Sequence, residues 1–175
     1  SMSCNPAVGG VAKGQIVREI DALGGMMGRI TDHSAIQFRM LNRSKGAAMW
    51  SPRAQCDKRE FSQAWRRTLE NTHKLYLWQD SVTEILFDTS GEKPRVRGVK
   101  TRMGVEFETS RVVLTAGTFL DGVMHCGEAH AEGGRAGDQA SHGITETLRE
   151  MGFECGRMKT GTPVRLDART INFEA

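Results

Sequence analysis

The stretch "LYLWQDSVTEILFDTSGEKPRVRGVKTRMGVEFETSRVVLTAGT", residues 75–118, decides the fold. β-Branched and aromatic residues from Leu75 to Phe87 predict a first strand, Gly91 to Pro94 a turn into a second, and Gly104 a turn into a third. Arg111 to Leu114 is continuously apolar after its arginine, the pattern of a strand buried on both faces of a parallel sheet, and Thr115, Ala116, Gly117 and Thr118 end it. Three antiparallel strands feeding one buried strand predict an α/β fold with a three-stranded β-meander.

Outward from this core, the amino-terminal stretch "SCNPAVGGVAKGQIV" from Ser3 poses the question of a phosphate loop. Such a loop needs a strand before it and Lys-Ser or Lys-Thr after its last glycine. Here Gln15 and Ile16 follow Gly14, Lys13 precedes it, and Pro6 with polar neighbours stands where the strand belongs. Nucleoside triphosphate binding is not expected. Ile16, Val17, Ile20 and Leu23 instead trace one face of a helix over 14–23, stopped by Gly24 and Gly25. The glycines at 9, 10 and 14 suit close approach by another chain segment or by a ligand.

Residues 34–56 show no clean period and contain Gly46 and Pro52, so they read as mostly loop with short extended pieces. Asp57 with Glu60 forms a capping pattern ahead of Phe61, Ala64, Trp65, Thr68 and Leu69, predicting a helix over 57–71. Ser141 stands before Ile144, Leu148 and Met151, which share a helical face ending at Gly152, and is expected at that helix's amino terminus.

In a chain of 175 residues with 26% charged and 38% hydrophobic residues, the composition is that of a water-soluble globular domain. No apolar run approaches the ~18 residues of a membrane span, and the first residues do not form a secretory signal, so a cytoplasmic protein with no membrane association is expected. Cys4, Cys56, Cys126 and Cys155 form no CxxC pair and read as reduced thiols. The net charge of +3 is mild, but Arg39, Arg43, Lys45, Arg53, Lys58, Arg59, Arg66 and Arg67 crowd one region. The first four are candidates for phosphate contact, against the alternative of a solvated basic face. His125, Cys126 and His130 lack a second ligand pair, and no metal is expected. Both ends have the look of cut ends, so a fragment of a longer protein is expected.

A meander returning into a buried strand that ends in T-x-G-T resembles the FAD domain of flavoproteins with two dinucleotide-binding domains, a Rossmann-like fold. "MSCNPAVGGVAKGQIVREIDALGG", "IQFRMLNRSKG", "RAQCD", "VVLTAGTFLDG", "GGRAGD" and "MKTGTPVRLDARTI", in that order, resemble the glucose-inhibited division protein A family (GidA, MnmG) of tRNA uridine 5-carboxymethylaminomethyl modification enzymes. The resemblance implies a partial FAD-binding domain over 1–175, with inserted substrate-facing segments at about 25–75 and 120–175. A G-x-G-x-x-G unit would precede it and a helical domain would follow. It implies a homodimeric, cytoplasmic enzyme acting with a GTPase of the MnmE family on the wobble uridine of certain tRNAs, with FAD as cofactor and NADH and methylene-tetrahydrofolate as co-substrates.

Residue by residue, Cys4 matches a family cysteine proposed to act at the uracil ring, where a thiolate adding at C6 makes C5 nucleophilic. A second family cysteine would lie past residue 175, so the segment alone is expected to be inactive. Val82 matches a backbone contact near the adenosine end of FAD, Ser141 an FAD-contacting serine, and Thr115, Ala116, Gly117 and Thr118 are expected to run close to the flavin. Gln55 and Asp57 follow the motif without a derived role. Two other readings stay open: a folate- and FAD-dependent tRNA uridine methyltransferase, and a non-catalytic tRNA-binding module.

Overall fold

The computed structural model describes residues 6–161 and 166–174. The chain divides into two compact units, Ser1–Leu77 with Gly161–Ala175, and Trp78–Thr160. Cys4 lies outside the described residues, as do residues 162–165 of the "MKTGTPVRLDARTI" motif.

In the first unit, β1 (Ala7–Gly9), β2 (Ala35–Leu41) and β3 (Ser51–Cys56) form an antiparallel sheet in the order β1-β3-β2. Helices α1 (Lys13–Ala22), α2 (Met27–Ser34) and α3 (Lys58–Glu70) pack around it. Val8, Ala54 and Cys56 are buried from the strands, and Val17, Met27 and Phe61 pack on them, one from each helix. The glycines of the amino-terminal stretch are explained here. Gly10 N–H donates to the Pro52 carbonyl at 2.8 Å, and a Cβ on Gly9 or Gly14 would run into that same oxygen. Their role is to let β1 and α1 close on β3, and the approaching partner is this chain itself.

Asp57 caps α3 as its spacing predicted, its carboxylate accepting from the N–H groups of Arg59 at 2.8 Å and Glu60 at 2.9 Å. Asp57 of "RAQCD" thereby gains a role. The reading of 34–56 as mostly loop with short extended pieces is corrected in proportion: the extended pieces are two full strands, β2 and β3, joined by two short 3-10 turns, Arg43–Lys45 and Ala47–Met49. Alternation is hidden because β2 is exposed along most of its length, so no apolar face is written into it. Pro52 is tolerated near the start of β3, where its carbonyl still serves the ladder side of the chain.

In the second unit β4 (Val82–Asp88), β5 (Arg95–Thr101) and β6 (Glu106–Glu108) form the expected antiparallel meander, order β4-β5-β6. The first strand begins at Val82, later than the Leu75 start expected. Residues 75–81 carry no regular structure, and Trp78 packs edge-on against Phe107, ring centroids 5.4 Å apart. Trp78 thus packs by its side chain without strand pairing, while Tyr76 is 91% exposed. A second correction concerns Arg111 to Leu114, which form no strand; Val113 is 86% exposed. A strand buried on both faces requires ladder partners on its edges, and among the described residues none pairs with this run. A two-stranded hairpin, β7 (Val123–Cys126) and β8 (Ala129–Glu132), and helix α4 (Ile144–Glu150) complete the unit. Among the described residues no helix is long and apolar enough to cross a membrane.

Candidate functional site

Within the second unit, Val82, Ser141 and the Thr118 end of the Thr115–Thr118 run come together. Ser141 Oγ donates to the Val82 carbonyl at 3.2 Å, across 59 residues of sequence. The Ser141 backbone is pinned on both sides: its N–H donates to Phe119 O at 2.8 Å and its carbonyl accepts from Asp121 N–H at 3.0 Å. Phe119 directly follows Thr118, so the end of the Thr115–Thr118 run, Ser141 and the start of β4 are tied together by hydrogen bonds. Thr118 Oγ1 in turn donates to Gly134 O at 3.0 Å, anchoring the run on "GGRAGD".

The expectation that Ser141 caps a helix is corrected. The amino terminus of α4 falls two residues later, at Gly143, whose N–H donates to Glu146 Oε2 at 3.1 Å. Gly143 has φ +97, and a Cβ there would collide with the Thr83 carbonyl. The tight seat of α4 on β4 is what carries Ser141 to Val82.

No local pattern in the sequence signals the charged cluster beside this junction. His142 Nδ1 lies 2.8 Å from Asp121 Oδ1, and its Nε2 lies 3.5 Å from Glu132 Oε2. The hydrogen bond to Asp121 raises the His142 pKa above its ordinary range, with Glu132 adding to the effect. The Asp121 carboxyl is lowered, first by a hydrogen bond from Thr145 and then by His142. Asp121 sits at φ +45, an uncommon conformation for a residue with a side chain, and Arg157 Nη2 donates to its carbonyl at 3.2 Å. Only its neighbours in motifs, Asp121 in "VVLTAGTFLDG" and Ser141 before His142, marked the place. On the other flank of Val82, Asp80 accepts from Ser81 N–H at 2.7 Å, and a hydrogen bond from Thr101 leads the lowering of its pKa.

These residues leave open space and free hydrogen-bonding capacity for a polar ligand. Thr115 and Gly117 are exposed, and the space beside Gly117, at φ +63, is open, with no atom within 4 Å of where a Cβ would stand. Backbone can be approached closely there. Ser141 Oγ, having donated its proton to Val82 O, keeps lone pairs to accept from a ligand.

His125 and His130 face each other across β7 and β8, with Nδ1 to Nδ1 at 2.9 Å, within hydrogen-bonding distance. Among the described residues, no three His, Cys, Asp or Glu side chains are grouped to hold a metal ion. Cys56, Cys126 and Cys155 are free thiols, Cys56 fully buried.

The model of the family described as glucose inhibited division protein A matches residues 1–175. The chain belongs to this family. It is 63% identical over 172 residues to the tRNA uridine 5-carboxymethylaminomethyl modification enzyme MnmG of Porphyromonas gingivalis, covering 98% of this chain and 27% of that protein. To the MnmG proteins of Bacteroides fragilis and Salinibacter ruber it is 61% and 57% identical, covering 27% and 26% of their lengths. The chain thus spans about a quarter of the curated relatives it matches. The structure of Aquifex aeolicus GidA superposes with a TM-score of 0.88 at 49% identity, over 100% of this chain and 28% of that one. The mixed α/β fold with its meander is therefore the family's fold.

Proposed function

We propose that this chain is a segment of an FAD-dependent tRNA-modifying enzyme that places a carboxymethylaminomethyl or aminomethyl group on C5 of the wobble uridine. The observation that carries the reading is the hydrogen bond between Ser141 and Val82, which joins the two residues that the family resemblance assigns to FAD, with the end of the Thr115–Thr118 run tied to Ser141 beside them. In this reading the Val82 backbone lies near the adenosine end of FAD, the Ser141 hydroxyl contacts FAD, and the Thr115–Thr118 turn runs close to the flavin. FAD bound there supplies the redox chemistry, with NADH as reductant. Segments at about 25–75 and 120–175 face the substrate, and a homodimer, a GTPase partner of the MnmE family, a methylene group from reduced folate and a cytoplasmic location complete the reading.

Cys4 supplies the nucleophile. Its thiolate adds to uracil C6, the electron pair of the C5–C6 bond moves to form an enolate, and C5 then bonds to the one-carbon electrophile. Loss of the C5 proton and expulsion of the thiolate restore the ring. The test is Cys4→Ser in the full-length enzyme carrying this segment. FAD absorbance and tRNA affinity are expected to persist, while the C5-modified nucleoside, measured by mass spectrometry of digested tRNA, falls by orders of magnitude. Near-normal modification at normal protein level overturns the role of Cys4, and absence of FAD from the purified enzyme overturns the cofactor assignment.

A further inference from the structure

We propose that β2, β3 and their connector present a binding surface for unpaired RNA, with Arg39 and Arg53 taking phosphates and Trp50 stacking on a base. The inference rests on the tRNA reading above and names the surface and the RNA form it selects. Its first support is charge. Between Asp32 and Asp57 the sequence holds no acidic residue, while it holds Arg39, Arg43, Lys45 and Arg53. Folding concentrates these cations, because Arg39 and Arg53 are directly opposed in the β2–β3 register. Directly opposed residues of an antiparallel pair share a face and lie about 5 Å apart, and like charges so placed destabilise the pair. Neither makes an ion pair among the described residues, nor do Arg43 and Lys45, whereas Arg66, Arg97 and Arg169 each have a carboxylate partner. A polyanion laid across the strands removes that repulsion and releases its own counterions.

The second support is the connector. Asn42 at φ +58 and Gly46 at φ +86 fold it into two tight turns, closed by Lys45 N–H to Asn42 O at 2.9 Å and Met49 N–H to Gly46 O at 3.0 Å. Trp50 Nε1–H donates to Arg43 O at 3.2 Å, which fixes the indole beside the basic turn while 42% of the residue stays exposed. An indole whose one polar group is already satisfied offers its face to a base. Stacking of this kind needs bases that are not paired, and a duplex presents none, so the combination selects a single-stranded loop.

The experiment measures binding of residues 1–175 to a labelled RNA hairpin by fluorescence anisotropy, with the same stem as a blunt duplex for comparison, between about 50 and 200 mM salt. The hairpin is expected to bind more tightly than the duplex. Arg39→Gln with Arg53→Gln is expected to lower the slope of log affinity against log salt by roughly 1.4–1.8, about 0.7–0.9 per phosphate. Trp50→Ala is expected to weaken hairpin binding by roughly 5- to 150-fold while leaving that slope in place. Arg39→Lys with Arg53→Lys keeps both charges and should keep the slope. Equal affinity for hairpin and duplex, an unchanged slope in the Gln variant, or binding of acidic protein in preference to RNA overturns the proposal. If any of these occurs while the full-length enzyme still modifies tRNA, this surface falls and the functional reading stands.

Discussion

Replacing Gly143 by Ala tests whether the candidate site depends on the tight seat of α4 on β4. Two costs arise from the structure. At φ +97 an L-residue occupies backbone space it rarely adopts, which costs about 1–3 kcal/mol, and the new Cβ collides with the Thr83 carbonyl, adding about 1–3 kcal/mol for overpacking against backbone that cannot swing away. The internal control is Gly152→Ala at the other end of the same helix. Gly152 has φ +84 but no atom within 4 Å of a Cβ, so it carries the conformational cost alone, about 1–2 kcal/mol. Gly152 closes α4 with a Schellman pattern, its N–H bonded to Arg149 O at 2.9 Å and Phe153 N–H to Leu148 O at 3.0 Å, which an Ala still permits. The assay is urea unfolding followed by Trp78 fluorescence, with Trp50 and Trp65 replaced by Phe so that only the second unit reports. Gly143→Ala should cost roughly 1–3 kcal/mol more than Gly152→Ala. Equal losses at the two positions refute the argument that close approach to Thr83 places Ser141.

Other outcomes follow from the same geometry. Asp57→Ala removes the side-chain acceptor for two N–H groups at the start of α3 and should destabilise the first unit by about 1 kcal/mol, read from urea unfolding by Trp65 fluorescence; Asp57→Asn should recover most of it. Because the folded-state pKa of His142 is raised, its contribution to stability is fully present below its unfolded pKa and is lost as pH rises through the folded value. Melting temperature measured upward from pH 6 should therefore fall more steeply in the parent than in His142→Gln, and parallel curves would show that the Asp121 contact does not couple to folding.

Much of this architecture was legible where a residue acts on its near neighbours. Asp57 capping α3, the Gly91–Pro94 and Gly104 turns of the meander, and α1 and α4 each follow from spacing within a few positions. What stayed hidden depends on partners far away in sequence. The strands β2 and β3 could not be read because β2 has an exposed face that leaves no hydrophobic alternation, while Arg111 to Leu114 looked like a buried strand because an apolar run carries no information about whether ladder partners exist. The glycines at 9 and 14 were legible as sites of close approach, but only the fold could say that Pro52 is what approaches. At the candidate site, Val82 and Ser141 came from the family resemblance. The ion pair of His142 with Asp121 could come from neither source, since nothing local to either residue announces the other.

The hydrogen bond that joins Ser141 to Val82 also sets an order of events at birth. Each hairpin of the second unit closes within a short span, but the junction needs both ends of a 59-residue separation. On a ribosome adding about 5–20 residues per second, β4 waits roughly 3–12 seconds before residue 141 is even synthesised. Through that interval the amino-terminal edge of the meander lacks the segment that holds Val82. Slow or paused synthesis between residues 83 and 141 therefore lengthens the time this edge stays uncovered, and expression at lower temperature should shift the yield between soluble and aggregated chain according to how fast that stretch is translated.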